Sequence, residues 1–159
     1  MNFELFFDEV SKSKLQINLS HNEVSKSVLL DNEALFQLPF ISLIILMLVK
    51  DRRKPRVQEL GRMVGECIEL TMPAFKRSNQ KVGWSANLRI RTINAMTFLE
   101  VSELIVIGNR RGKLEITPRG KKLIASAIQG DDNLSYTLLE ISKSYRNICV
   151  SRQLDLELG

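Results

Sequence analysis

Few residues of this 159-residue chain have the type and spacing that a chemical site requires. The one histidine, His21, lies in a polar stretch without cysteine or histidine neighbours at metal-ligand spacing, which favours a solvated side chain. Glu66 and Glu69 have helical spacing, and paired carboxylates can transfer protons, but nothing else converges on them. A solvated face or an ion pair with Arg62 is the expected role. We therefore expect no enzyme, no catalytic residue, no metal and no cofactor.

The two cysteines, Cys67 and Cys149, are far apart and form no C-x-x-C motif. Two buried thiols in a reducing compartment are the expected state, which predicts a cytoplasmic protein. The longest apolar run, residues 39–49, is shorter than the roughly 20 residues that span a bilayer. No basic, signal-like segment opens the chain, so we expect no membrane partner.

Charge is unevenly distributed along the chain, whose net charge is +5. Residues 50–122 contain 17 Lys and Arg against 7 Asp and Glu, whereas the two flanks together contain 6 against 11. A concentrated basic region attracts polyanions, above all nucleic acid. The alternative is an Arg-rich surface that is merely solvated.

The candidate DNA contacts lie on three predicted elements: a third helix in the recognition position, a hairpin tip and the first turn of a closing helix. They are Arg89, Arg91, Arg110, Arg111, Lys113, Arg119, Lys121 and Lys122. Phosphate contacts of this kind give affinity for double-stranded DNA with little sequence choice. The alternative is a protein-interaction module with soluble basic side chains.

Three helices are predicted ahead of the hairpin. Residues 32–50 form the first, capped by Asp31 or Asn32 and interrupted near Leu38 by Pro39. Its second part is apolar on all sides, as expected of a central, buried helix. Residues 56–70 form the second helix, and the third begins at a Ser85 cap and reaches residue 104.

A hairpin follows these helices. Residues 105–107 and 113–117 have strand-like patterns on either side of a charged turn at 108–112, and Pro118 opens the closing helix. The order predicts a mainly α fold of the α+β type: a winged-helix domain over residues 32–130 with a small β-hairpin wing. Many winged helices bind proteins and not DNA, so the fold alone does not decide the function.

Both flanks carry apolar patterns. Residues 1–31 form an N-terminal arm, and residues 131–159 form a C-terminal amphipathic helix, capped by Asp131 or Asp132, with a tail at 154–158 that alternates like a strand. Spacing on one helical face makes the following residues candidate partner contacts: Phe3, Phe6, Phe7, Val10, Leu134, Leu138, Ile141, Tyr145 and Ile148. For the C-terminal seam, packing on its own domain is the alternative.

Several stretches resemble a known family. They are Asn32-Glu33-Ala34-Leu35-Phe36, Asn94-Ala95-Met96-Thr97-Phe98-Leu99, Leu104-Ile105 and Ile116-Thr117-Pro118-Arg119-Gly120. Together they resemble the middle component of bacterial ABC-three-component systems, to which the Lamassu-type defence systems belong. The resemblance covers about residues 30–130. It departs where the family has Asn-Pro-Ala-Phe and this chain has Asn-Glu-Ala-Leu-Phe.

The resemblance implies a non-catalytic winged-helix subunit that binds the head region of a coiled-coil ATPase similar to SMC and Rad50 proteins. Such a subunit helps couple sensing of phage or plasmid DNA to a separate effector, often a nuclease. The competing interpretation is a winged-helix transcription regulator whose C-terminal seam forms a homodimer. The apolar arm and tail favour an obligate partner. Effector type, stoichiometry and DNA sequence preference stay open.

Overall fold

The fold is seen in a computed structural model, which describes residues 40–76, 85–108 and 112–159. The predicted N-terminal arm, with Phe3, Phe6, Phe7 and Val10, lies outside the described residues, as do Arg110 and Arg111 at the hairpin tip. The described part is mainly helical. Its elements are α1 (Phe40–Lys50), a 3-10 turn (Val57–Glu59), α2 (Leu60–Thr71), α3 (Pro73–Lys76), α4 (Ala86–Val101), β1 (Ile105–Ile107), β2 (Leu114–Ile116), α5 (Pro118–Gln129) and α6 (Asn133–Leu158).

Helix α1 is the centre of the core. Every residue from Ser42 to Val49 is buried, because α2, α4, α5, α6 and β2 all pack against this helix. The sequence predicted such a helix from its apolar residues on every side, and the structure confirms it. Among the described helices, none is both long and apolar enough to cross a bilayer.

The predicted hairpin is present. Strands β1 and β2 are antiparallel, with Ile105 opposite Ile116 and Ile107 opposite Leu114. Ile105 and Leu114 point into the core and are buried. Because alternate side chains of a strand face opposite sides, Val106 and Glu115 lie on the exposed face.

The other edge of β2 pairs with the chain just ahead of α2. Arg56 forms an antiparallel bridge with Lys113. Around it, the Leu114 amide donates to the Pro55 carbonyl at 3.2 Å, and the Val57 amide donates to the Gly112 carbonyl at 3.3 Å. The Arg56 segment therefore acts as a short third strand, and β2 lies between it and β1.

The end of α4 sets the direction in which the hairpin leaves. Glu103 has a positive φ of 57°, and the Leu104 amide donates to the Leu99 carbonyl at 2.9 Å while the Glu103 amide donates to that of Glu100 at 2.9 Å. This is the pattern of a Schellman motif, which satisfies the last carbonyls of a helix. Leu99 and Leu104 are both buried, which supplies the apolar contact that usually accompanies the motif.

Thr117 joins the hairpin base to α5. Its hydroxyl accepts from the Gly120 amide at 3.0 Å, which caps α5, and donates to the Glu103 carbonyl at 2.7 Å. Pro118 occupies the first turn, as predicted. The two bonds fix the start of α5 against the end of α4.

Helix α6 corrects two expectations. Leu138, Ile141, Tyr145 and Ile148 are buried in the domain's own core, and Leu134 packs partly against it, so this seam is not a free partner surface. The 154–158 tail was expected to be a strand, which is wrong: the helix continues to Leu158. Leucine and glutamate favour helix and the tail contains no β-branched residue, so an alternating pattern was a weak strand signal.

Candidate binding surfaces

A basic loop connects α1 to α2. From Lys50 to Arg56, five of seven residues are Lys or Arg. The loop backbone is held in place by α6: the Tyr145 hydroxyl donates to the Arg53 carbonyl, and Arg146 forms a 3.1 Å ion pair with Asp51. The Asp51 carboxylate also accepts from the Arg53 amide at 3.1 Å. The basic side chains are therefore presented from a fixed backbone.

Two of these basic side chains have partners of their own. Arg53 donates to the Gln153 amide oxygen at 3.1 Å, and Lys54 pairs with Glu115 at 3.3 Å. Lys50, Arg52 and Arg56 are exposed and make no ion pair within the part of the chain that the structure describes.

The bridge between Arg56 and Lys113 places two cationic residues side by side. Directly opposite residues of an antiparallel pair have Cβ atoms about 5 Å apart on the same face, and like charges there are destabilising. Both side chains are exposed. A bound polyanion would relieve this repulsion. We call this pair, with the exposed Lys50 and Arg52 of the same loop, the basic ridge.

Of the predicted DNA contacts that the structure describes, only Lys113 lies on the basic ridge. Arg119, Lys121 and Lys122 lie in the first turn of α5, at the opposite end of β2, whose three residues span about 10 Å. The structure therefore separates Lys113, which directly precedes β2, from the closing-helix residues.

Arg89 and Arg91 also diverge from each other. Residues two positions apart on a helix are separated by about 200° around its axis. The side chains of Arg89 and Arg91 therefore leave α4 on opposite sides. Arg89 lies over α2, where a Cβ on Gly61 would be 3.3 Å from the Arg89 Cγ. One DNA-binding surface on α4 would therefore not include both residues.

The sequence prediction missed Lys50, Arg52 and Arg56 as site residues. The density of basic residues in that loop was the available signal. The long-range bridge to Lys113 and the ion pair between Lys54 and Glu115 show that the loop joins the hairpin.

The exposed side of α4 carries several apolar side chains. Thr92, Ala95 and Leu99 face the core, whereas Ile90 and Ile93 are each 56 % exposed and Val101 is 77 % exposed. Steps of three, four and four residues align four side chains on one exposed face, which we call the α4 stripe: Ile90, Ile93, Thr97 and Val101. Three of these four side chains are apolar, and a patch of exposed apolar side chains often marks a binding surface.

A groove of about 1040 Å³ runs beside the α4 stripe, between α4, the 3-10 turn and the start of α2. Ile93 and Thr97 belong to both the stripe and the groove. Val57, Met96 and Ile107 contribute further apolar surface. The stripe and groove together can accept apolar side chains of a protein partner.

The ionisable groups of the core are kept neutral. Burial raises the pKa of the Cys67 thiol to about 12, and burial also raises the pKa of Tyr145 and of Cys149. Thiolate chemistry at neutral pH is thereby disfavoured. Among the described residues, no group of three or more His, Cys, Asp and Glu is placed to hold a metal ion.

Glu66, one of the two helical carboxylates, has a structural role. It pairs with Arg62 at 3.2 Å, as predicted, and with Arg152 of α6 at 2.8 Å. The carboxylate thus links α2 to α6.

Compared with protein-family models, curated proteins and solved structures, the chain shows no match.

Proposed function

We propose that residues 40–130 form a winged-helix module. The supporting observation is the order of elements: α1, the Arg56 segment, α2, α4 and then the β1–β2 hairpin, with the Arg56 segment and β1 on either side of β2. In such a module α4 occupies the position of the recognition helix, and the hairpin is the wing.

We infer further that the chain is a non-catalytic subunit that binds a protein through α4. The α4 stripe carries this proposal. A helix that reads DNA presents polar side chains to the base edges, whereas Ile90, Ile93 and Val101 have no hydrogen-bonding groups to offer. Aliphatic side chains in that position suit an apolar protein surface.

The proposed partner is the head region of an SMC- or Rad50-like coiled-coil ATPase, which is the partner that the family resemblance implies. The basic ridge lies on different residues from the α4 stripe, so DNA and protein could be bound together. In this arrangement the subunit holds DNA by its phosphates while the ATPase couples to an effector, which we propose is a nuclease.

Co-expression with a coiled-coil ATPase encoded beside this chain tests the proposal. The full chain should co-elute with the ATPase on size exclusion, and the double variant I90D/I93D should lose that co-elution while keeping its unfolding temperature. The matched control is L156D, which changes an exposed leucine on α6. Undiminished co-elution of I90D/I93D would contradict docking through α4.

DNA binding by the basic ridge is tested separately by fluorescence anisotropy with a labelled duplex. R56A/K113A should weaken binding equally on unrelated sequences and lower the salt slope by about 2, one unit for each phosphate that is no longer neutralised. K121A, at the other end of β2, should change the slope little. A larger change in the salt slope for K121A than for R56A/K113A would indicate that the DNA-binding surface lies on α5.

The basic ridge also favours a second candidate, a winged-helix transcription regulator that acts as a homodimer. A selection from random duplexes separates the two functions. Enrichment of one palindromic site would support the regulator, since two-fold operators mirror two-fold protein symmetry. Uniform binding supports the accessory subunit.

A further inference from the structure

A second groove, of about 810 Å³, lies between α6, the end of α5 and the loop that follows α1, and we call it the α6 groove. One wall is a row on α6 with helical steps of three, four and four residues, formed by Leu139, Ser142, Arg146 and Val150. At about 1.5 Å per residue the row is roughly 16 Å long, which is enough for about five residues of an extended chain.

The α6 groove has an apolar component. Met47 of α1 is buried beneath it, and Ile128 of α5 lines it while partly buried. On the α6 wall, Leu139 is 43 % exposed and Val150 is 45 % exposed. An occupant with aliphatic side chains of its own would be stabilised by burying them against these two residues.

The rim of the α6 groove is basic. Its cations are Lys50, Arg52, Arg53 and Arg146, and Asp51 is the one acid among the described lining residues. The Asp51 side chain is only 12 % exposed, and its carboxylate already accepts from Arg146 and from the Arg53 amide. The Arg53 side chain donates to the neutral Gln153 amide, so its charge is not compensated there. Positive charge therefore exceeds negative charge at this rim.

No neighbouring acid on α6 cancels this excess. Glu140, the residue beside Leu139, pairs with Lys143 at 2.5 Å, and neither of them lines the α6 groove. Lys50 and Arg52 are exposed and form no ion pair with another described residue. These two cations are the ones that an anionic occupant would meet first.

We propose that the α6 groove binds a short acidic segment of a protein partner, in which aliphatic residues alternate with Asp or Glu. Carboxylates of the segment pair with Lys50 and Arg52, and its aliphatic side chains pack on Leu139 and Val150. Arginine recognises acidic motifs through charge-assisted hydrogen bonds that are often bidentate. Duplex DNA matches only the rim, because phosphates have no apolar surface to place against the wall.

The α6 groove is held in shape before any segment binds. The Tyr145 hydroxyl fixes the Arg53 carbonyl, and the 3.1 Å ion pair between Arg146 and Asp51 joins the wall to the rim. A site whose backbone is already ordered loses less conformational entropy on binding.

This inference goes beyond the proposed function, since the α6 groove shares no residue with the α4 stripe. Lys50 and Arg52 also belong to the basic ridge, so an acidic segment in the groove competes with DNA for them. The two proposals can fail separately. The DNA test above changes Arg56 and Lys113, which do not line the α6 groove, and the tests below contain no DNA.

Fluorescence anisotropy with the full chain and a labelled peptide that repeats Leu-Glu-Glu tests the basic rim. Binding should be saturable, and K50E/R52E should weaken it on the order of tenfold or more, because two attractions become repulsions. K121E/K122E makes the same charge change at the other end of α5 and should weaken binding less than about threefold, because salt screens distant exposed charges. No saturable binding, or equal losses in both variants, would overturn the proposal.

The apolar wall is tested with a second peptide, which repeats Ser-Glu-Glu and keeps the charge. L139Q/V150Q should weaken binding of the leucine peptide on the order of tenfold and leave that of the serine peptide nearly unchanged. L154Q/L156Q is the matched control, since both leucines are exposed on α6 and lie outside the groove. All variants should keep the parent's unfolding temperature. Equal affinity of the parent for both peptides would show attraction by charge alone and would overturn the proposal.

A selection from a random peptide library displayed on phage tests the occupant without a designed sequence. The immobilised protein is I90D/I93D, so that the α4 stripe does not select peptides of its own. Peptides that combine acidic with aliphatic residues should be enriched, and they should fail to bind when K50E/R52E is added to the same chain. Absence of this enrichment, or enriched peptides that still bind after that change, would contradict the proposed occupant.

Discussion

Gly120 lies against the backbone carbonyl of Leu104. A Cβ at this position would come well within 3.0 Å of the Leu104 oxygen and 2.9 Å from the Ile116 Cγ1. The glycine is thus required by close approach, at the point where α5 meets the hairpin base.

We expect Gly120→Ala to lower the free energy of unfolding by about 2–3 kcal/mol, because the nearest obstructing atom, the Leu104 oxygen, belongs to the backbone and cannot move alone. Gly108→Ala is the matched control, since nothing lies within 4 Å of its added Cβ, and should stay within about 0.5 kcal/mol of the parent. Urea unfolding of both variants measures the difference. Equal stabilities would contradict the close approach.

Glu103 holds the left-handed conformation that ends α4, with a φ of 57°. Glu103→Gly should stabilise the protein by about 0.5–1 kcal/mol, because glycine has no Cβ to clash in this left-handed conformation. Glu100→Gly, inside α4, should destabilise it by a similar amount. Thermal unfolding of both variants measures the two changes in stability. A change of the same sign in both variants would contradict this prediction.

The Tyr145 hydroxyl bonds to the Arg53 carbonyl from a buried ring. Tyr145→Phe should cost about 1–2 kcal/mol, because the carbonyl loses its partner, and should speed amide exchange in residues 51–56. Tyr136→Phe, on the exposed face of α6, should change neither quantity. Hydrogen exchange followed by mass spectrometry measures the loop. Unchanged exchange in Tyr145→Phe would show that the hydroxyl does not hold it.

Asp132 caps α6, and its carboxylate accepts from the Ser135 amide at 2.8 Å. That hydrogen bond holds the pKa of Asp132 below its ordinary value of 3.8. The resulting stabilisation is present above pH 3.8 and is lost as the pH falls through the lower, folded-state pKa. Asp132→Asn keeps a cap that does not titrate. Below pH 3.8, the free energy of unfolding of the parent should therefore fall relative to that of Asp132→Asn, as measured by urea unfolding at a series of pH values. Parallel pH profiles of the two proteins would contradict this.

Cys67 should be inert in the folded protein. With a pKa of about 12, about one thiol in ten thousand is ionised at pH 8, and the side chain is fully buried. Iodoacetamide should modify Cys67 only after denaturation, as measured by peptide mass spectrometry. Cys149, which is partly exposed, serves as the internal comparison. Modification of Cys67 at the rate of Cys149 in the folded state would be inconsistent with this burial.

Local signals predicted local structure well. Ser85 caps α4 by accepting from the Leu88 amide, Asp132 caps α6, and Pro118 opens α5, as the sequence indicated. The hairpin followed from its turn and β-branched residues. Each of these features depends on residues within a few positions of one another, so the pattern of a single sequence contains them.

Long-range features could not be obtained in this way. Arg56 and Lys113 are 57 residues apart, and only the fold pairs them. For α6, the spacing of Leu138, Ile141, Tyr145 and Ile148 predicted an apolar face. Spacing does not say whether that face packs against the same chain or against another. The apolar residues of α4 surround the helix, so the sequence could not tell which of them the core leaves exposed.

The burial of residues 42–49 of α1 has a consequence for synthesis. The segment Ile41 to Val49 is uncharged and free of proline, the composition of sequences that aggregate when exposed. Part of its cover comes from α6, whose Tyr145 follows Val49 by 96 residues. At roughly 5–20 residues per second, a ribosome adds those residues in roughly 5–20 s. During that interval the apolar segment of α1 is synthesised but α6 is not yet available to pack against it. We therefore expect this protein to depend on a chaperone during translation more than after release.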